Sequence, residues 1–216
     1  MFDLKKIFLD LLFPIECLGC GRNNNWLCSS CFSKFKQEQI SIFNISGEEG
    51  DVSVGYIAKY ENEWEKIIVN FKYQFVAELS DLINKAIKPA FRSQISKEFF
   101  SQNWVLVPIP LSKKRQAWRG FNQAEIIAQL VGNYTELKVE KDLLFRPINT
   151  RPQVGLSQKQ RKTNLKDAFL AKPKLNIEGV ILVDDVVTTG STINECAKAL
   201  RLAGIKKIKA FVLAKG

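Results

Sequence analysis

The chain contains no histidine. That removes the side chain most used as a general base near neutral pH, and the commonest nitrogen ligand for zinc. Any metal site must therefore be built from cysteine or carboxylate. Any proton must move through Asp, Glu, Lys, Tyr or a substrate. No apolar run reaches the roughly eighteen residues a membrane-spanning helix needs, so no transmembrane segment is expected. No G-x-x-x-x-G-K-[ST] segment occurs, which excludes a P-loop nucleoside triphosphatase. Two long stretches, 111–124 and 146–166, contain no acidic residue at all.

What is present bounds the class. The 216 residues suffice for one α/β domain plus a small appendage, and a hydrophobic content of 46% allows a sizeable core. The formal net charge of +10 points to polyanionic partners: nucleic acid, phosphorylated ligands or an acidic membrane surface. The N-terminal MFDLKKIFLDLLFP has an apolar run broken by Asp10, and no small-residue cleavage site follows, so it does not read as a signal peptide. Leu4, Ile7, Phe8, Leu11 and Leu12 recur on one face of an amphipathic helix. Such a face packs on its own domain or, alternatively, makes a peripheral membrane or partner contact. Without an export signal the expected location is cytoplasmic.

Cys17, Cys20, Cys28 and Cys31 form C-x2-C-x7-C-x2-C. Two such pairs bring four thiolates within reach of one tetrahedral ion, and Gly21 suits a tight knuckle. Two disulfides are the alternative and need an oxidising compartment. Four cysteine ligands make a closed site, so a structural Zn2+ is expected, with no position for substrate. Cys196 stands apart and reads as a small core residue.

The segment Val180–Thr192, VILVDDVVTTGST, carries the most chemistry. Apolar residues lead into Asp184 and Asp185, then a turn of hydroxyls and glycine, then a helical run to Ala203. Vicinal sugar hydroxyls can donate to the acids. Thr188, Thr189, Gly190, Ser191 and Thr192 can surround a phosphate with N–H groups and hydroxyls at a helix N-terminus, where the dipole favours an anion. The plain alternative, a buried strand ending in two solvated acids, leaves the tight turn unexplained.

Residues 1–43 read as the amphipathic helix plus four-cysteine module, 44–51 as a polar linker or loop, and 52–216 as the main domain. Within that domain we expect strands at Val52–Tyr60, Trp104–Pro110, Asp142–Arg146, Val180–Val183 and Lys207–Leu213. Helices are expected around 64–71, 79–87, 123–132 and 191–203, and Ser112–Asn122 reads as a basic loop. The alternation implies a parallel, doubly wound sheet with its ligand at the carboxyl ends of the strands. The two acid-free stretches should converge there, and together they suit an anion better than any single lysine would. Trp118, inside the first stretch, can stack a base or anchor its loop.

VILVDDVVTTGST resembles the phosphoribosyl pyrophosphate (PRPP) motif of type I phosphoribosyltransferases. That resemblance implies a sheet of this type over 52–216. It gives the ribose 2′ and 3′ hydroxyls to Asp184 and Asp185, and the 5′-phosphate to Thr188–Thr192. Ser112, Lys113, Arg115 and Arg119 match the place where such proteins receive pyrophosphate. Arg151, Gln153 and Arg161 match a flexible closing loop. Mg2+ would arrive with PRPP, held mainly by the ligand's own oxygens. Together with PIPLSKKRQAWRGFNQA at 108–124, RPQVGLSQKQRKTN at 151–164 and the cysteine module, the chain resembles the ComF family. This implies a role in natural transformation, handling incoming single-stranded DNA alongside the uptake machinery. Alternatives are salvage of a base or amine by true phosphoribosyl transfer, and PRPP sensing without turnover. No general base and no acceptor are legible.

Overall fold

The structure, a computed structural model, describes residues 15–23, 25–34, 39–72, 76–100, 103–147, 168–173 and 177–216. The expected amphipathic helix near the N-terminus and the expected closing-loop residues Arg151, Gln153 and Arg161 lie outside the described residues.

A short helix, α1 (Ser29–Lys34), closes the cysteine knuckle. Strands β1 (Ser41–Ile45) and β2 (Val52–Lys59) form an antiparallel hairpin. The polar stretch 44–51 is therefore largely the turn of that hairpin, and β1 is a strand of the main sheet. Helices α2 (Asn62–Phe71) and α3 (Val76–Ile87) follow, then a 3-10 turn (Ala90–Arg92) and α4 (Gln94–Phe99). Next come β3 (Trp104–Pro108), α5 (Lys113–Arg119) and α6 (Gln123–Thr135). The remainder is β4 (Lys138–Val139), a two-stranded antiparallel ribbon of β5 (Leu144–Phe145) and β6 (Leu170–Ala171), then β7 (Gly179–Val187), α7 (Ser191–Leu202) and β8 (Ile208–Lys215).

The main sheet runs β1-β2-β8-β7-β3-β4, and every pairing except β1–β2 is parallel. The expectation of a parallel α/β sheet holds, with one antiparallel edge strand added. Both faces are covered, as a parallel sheet requires. Along β7, Ile181 and Val183 enter a core shared with Ile67, Phe71, Leu79, Ile83 and Ile127 of α2, α3 and α6. Val180 and Leu182 enter the opposite core with Ile193, Cys196 and Leu200 of α7. Cys196 is fully buried there, as its sequence context suggests. Each such side chain contributes about 1.5–3 kcal/mol by burial.

Two expected boundaries shift for physical reasons. Strand β7 continues through both acids to Val187, because its ladder with β8 persists to the pair Val187–Lys215. The segment 113–119, expected as loop, is the helix α5: the Ser112 side chain caps it by accepting from the Arg115 N–H, and Gly120 ends it in the left-handed region at φ 77°. Among the described residues no helix is long and apolar enough to cross a membrane.

Candidate functional site

The carboxyl ends of β3 and β7 open into a cleft of about 270 Å³. Its floor is Asp184 and Asp185, one wall is the Thr188–Thr192 turn, and the other is Ile109, Pro110, Leu111, Arg115 and Arg119. The two halves of the site meet because β3 and β7 are adjacent, paired from Trp104–Gly179 to Pro108–Val183.

The turn is tightly specified. Gly190 adopts φ 74°, and a Cβ there would lie 2.7 Å from Ile45. Glycine is thus required for both conformation and space. Thr189 Oγ1 and Ser191 Oγ are 2.9 Å apart, and the Ser191 N–H donates to Thr189 Oγ1 at 3.4 Å. The N-terminus of the twelve-residue α7 follows at once, adding its free N–H groups and dipole to the pocket.

The acids differ in their surroundings. Asp184 Oδ1 accepts the Asp185 N–H at 2.9 Å. Asp185 Oδ2 pairs with Lys72 Nζ at 3.0 Å. Burial first, and the neighbouring Asp185 carboxylate second, push the Asp184 carboxyl up to about 7, against the opposing pull of Lys72 and Arg119. Burial alone would lower the Lys72 ammonium, but the Asp185 charge and hydrogen bond override it and hold it above its ordinary value.

The basic wall is braced from α6. Arg119 Nη1 donates to Gln123 Oε1 at 3.0 Å, and Gln123 Nε2 donates to the Lys72 carbonyl at 3.4 Å. Asn122 caps α6 by accepting from the Ala124 N–H at 3.1 Å, and its amide donates to the Ile109 carbonyl at 3.1 Å, pinning the segment after β3. Phe121 packs against Phe71, ring centroids 6.2 Å apart. Arg146, nearly buried, lies over the Phe169 ring at 5.0 Å and lines the cleft. Burial, and then the charge of Arg115, lower its affinity for a proton.

Of the expected anion-binding set, Arg115 and Arg119 line the cleft, as do both acids and all five residues of the turn. Ser112 does not line it; its hydroxyl is spent on capping α5. Lys113 is exposed and stands outside the cleft lining. Lys72 and Gln123 are lining residues that the sequence does not mark: Lys72 carries no local signal, and Gln123 lies inside the first acid-free stretch without a charge of its own. Arg146 belongs to the basic set of the second stretch and does reach the cleft. Trp118 is 70% exposed on α5.

At the other end of the chain, the four cysteine Sγ atoms lie within 4.8 Å of one another, with Cys20 and Cys28 at 3.7 Å. A tetrahedral ion with Zn–S bonds of ~2.3 Å needs sulfurs ~3.8 Å apart. The Cys28 N–H donates to Cys17 Sγ at 3.3 Å, and Gly21 takes φ 73°. A Cβ at Gly19 would lie 2.9 Å from Cys31 Sγ, so the knuckle requires glycine there. These cysteines stand close enough to hold one metal ion, and the donor set suits zinc. The knuckle joins the main core through Cys17 and Leu27, and Lys66 Nζ of α2 donates to the Leu18 carbonyl at 2.8 Å.

Comparison with known proteins agrees with this geometry. Residues 91–216 match the family model described as the phosphoribosyl transferase domain, so the chain belongs to that family. Within it the chain groups with competence proteins of the ComF type. It is 31% identical to Competence protein F of Haemophilus influenzae over 229 aligned residues, 94% of this chain and 98% of that protein. It is 35% identical to Competence protein ComFC of Bacillus subtilis over 65% of this chain and 55% of that one. It is 34% identical to the DNA utilization protein YhgH of Escherichia coli K12, over about half of each (50% and 48%).

Proposed function

We propose that the cleft binds PRPP and that the protein serves DNA uptake in natural transformation. Asp184 and Asp185 accept the ribose hydroxyls. Thr188, Thr189, Gly190, Ser191 and Thr192 cradle the 5′-phosphate at the head of α7. Arg115 and Arg119 face the pyrophosphate, and the resemblance assigns Arg151, Gln153 and Arg161, outside the described residues, to a closing loop. Mg2+ enters with the ligand, on pyrophosphate and ribose oxygens, as a hard, reluctantly dehydrated ion prefers. The four cysteines hold a structural Zn2+.

The observation that carries the reading is the meeting, in one cleft, of an acid pair, a glycine-hydroxyl turn at a helix N-terminus and two guanidiniums on the facing wall. A ligand with vicinal hydroxyls between two phosphate groups satisfies all three. The competence and DNA-utilization names of the relatives support the DNA role. So does exposed Trp118 on the acid-free basic helix α5, an arrangement suited to stacking single-stranded DNA.

Calorimetric titration with PRPP and Mg2+ tests the ligand. The wild type should bind, and Asp185→Asn should lose binding while melting at a similar temperature. Wild-type affinity in Asp185→Asn would reject the site. For the DNA role, deleting the gene should lower transformation in a competent host.

A further inference from the structure

We infer that Lys72 is a positioning residue for the acid pair, delivered to it by the N-terminal part of the chain. The inference rests on the reading of the cleft as a PRPP site. Lys72 lies outside residues 91–216, the part that matches the phosphoribosyl transferase domain. It follows directly on the last turn of α2, where its N–H caps the helix against the Val69 carbonyl at 3.1 Å. From there its ammonium reaches Asp185 Oδ2 at 3.0 Å.

Two contacts fix it. Gln123 Nε2 grips its carbonyl at 3.4 Å while Gln123 Oε1 receives Arg119, so one amide links the Lys72 backbone to the Arg119 guanidinium. Upstream, Lys66 of the same helix ties α2 to the cysteine knuckle through the Leu18 carbonyl. The helix is anchored at its face by Trp64, Ile67, Ile68 and Phe71, all buried. A carboxylate beside another carboxylate tends to protonate, and a proton on the acid removes its charge and part of its capacity to accept ribose hydroxyls. Lys72 opposes this. Its ammonium pairs with Asp185 and orients it, and its charge eases ionisation of Asp184. Among the described residues Arg119, Arg146 and Cys196 also act on Asp184, and Tyr60 acts on Lys72.

The test is PRPP–Mg2+ calorimetry on wild type, Lys72→Met, Lys72→Gln and Lys72→Arg from pH 6 to 9, each with a melting curve. Wild-type affinity should rise through about pH 7, where Asp184 ionises. Lys72→Met and Lys72→Gln should bind at least about tenfold more weakly, as for other side chains that orient a binding group, with the rise moved to higher pH. Lys72→Arg keeps the charge and should restore most of the affinity. If Lys72→Met does not fold, Lys72→Gln decides. Wild-type affinity and an unmoved pH profile in the neutral variants would overturn the role of Lys72 and leave the PRPP site standing. No binding by the wild type would overturn both.

Discussion

At the scale of single residues, the site combines a carboxyl whose charge is opposed with a turn that admits only glycine. Asp184 sits above its ordinary range because burial and Asp185 both oppose its charge. An acid raised from 3.8 toward 7 contributes fully to stability below about pH 4, and that contribution is lost as pH climbs to about 7. Asp184→Asn removes the penalty. It should melt above the wild type at pH 8, with the gap closing as pH falls toward 4, measured by calorimetric scans. An equal gap at both pH values would contradict the assignment. Gly190 makes the opposite case. Its φ of 74° and the 2.7 Å approach to Ile45 leave no room for a methyl group. Gly190→Ala should cost about 1–3 kcal/mol in denaturant unfolding, from backbone strain and overpacking together.

At the scale of elements, the segment 119–123 is a joint. Arg119 faces the cleft, Gly120 ends α5, Phe121 locks onto Phe71, Asn122 starts α6 and pins Ile109, and Gln123 braces Arg119 and Lys72. Asn122→Ala removes the cap and leaves the Ile109 carbonyl unserved. We expect a loss of about 1–2 kcal/mol on chemical denaturation. How much of this could be read from sequence depends on distance along the chain. The acids and the phosphate turn are contiguous in 184–192, so strand, turn and helix signals fall in order there. The cysteine pairs are legible for the same reason. Helix α5 carries a cap signal at each end, Ser112 before it and Gly120 after it, but with only seven residues between them it shows no apolar periodicity. The motif position that marks Ser112 and Lys113 does not say that the hydroxyl serves as a cap or that the lysine stands exposed outside the cleft lining. Lys72 reaches the cleft only through packing, with α2 laid on the sheet, and no local pattern announces it. Arg146 opens the acid-free stretch 146–166, but its stacking on Phe169 is a tertiary contact that the stretch does not show.

At the scale of the whole molecule, the cysteine knuckle, α2 and the ligand cleft form one mechanical series. Cys17 and Leu27 share the core with Ile67, Phe71 and Phe211, so the knuckle is part of the main domain's packing. Stripping metal with a chelator under reducing conditions should lower the melting temperature of the full chain, and returning Zn2+ should restore it. Elemental analysis should find about one zinc per chain, four cysteines making one closed site. The net charge of +10 sets the expected DNA behaviour. Single-strand affinity should fall linearly with the logarithm of salt, and Trp118→Ala should weaken it by about 1–3 kcal/mol if that ring carries a base. The central claim concerns the cleft itself, and the most direct measurement is a crystal structure of the protein soaked in PRPP and Mg2+. The account predicts ribose hydroxyls on Asp184 and Asp185, the 5′-phosphate within the Thr188–Thr192 turn, and pyrophosphate toward Arg115 and Arg119. A cleft left empty at saturating ligand, with the two carboxylates turned away from it, would contradict the account.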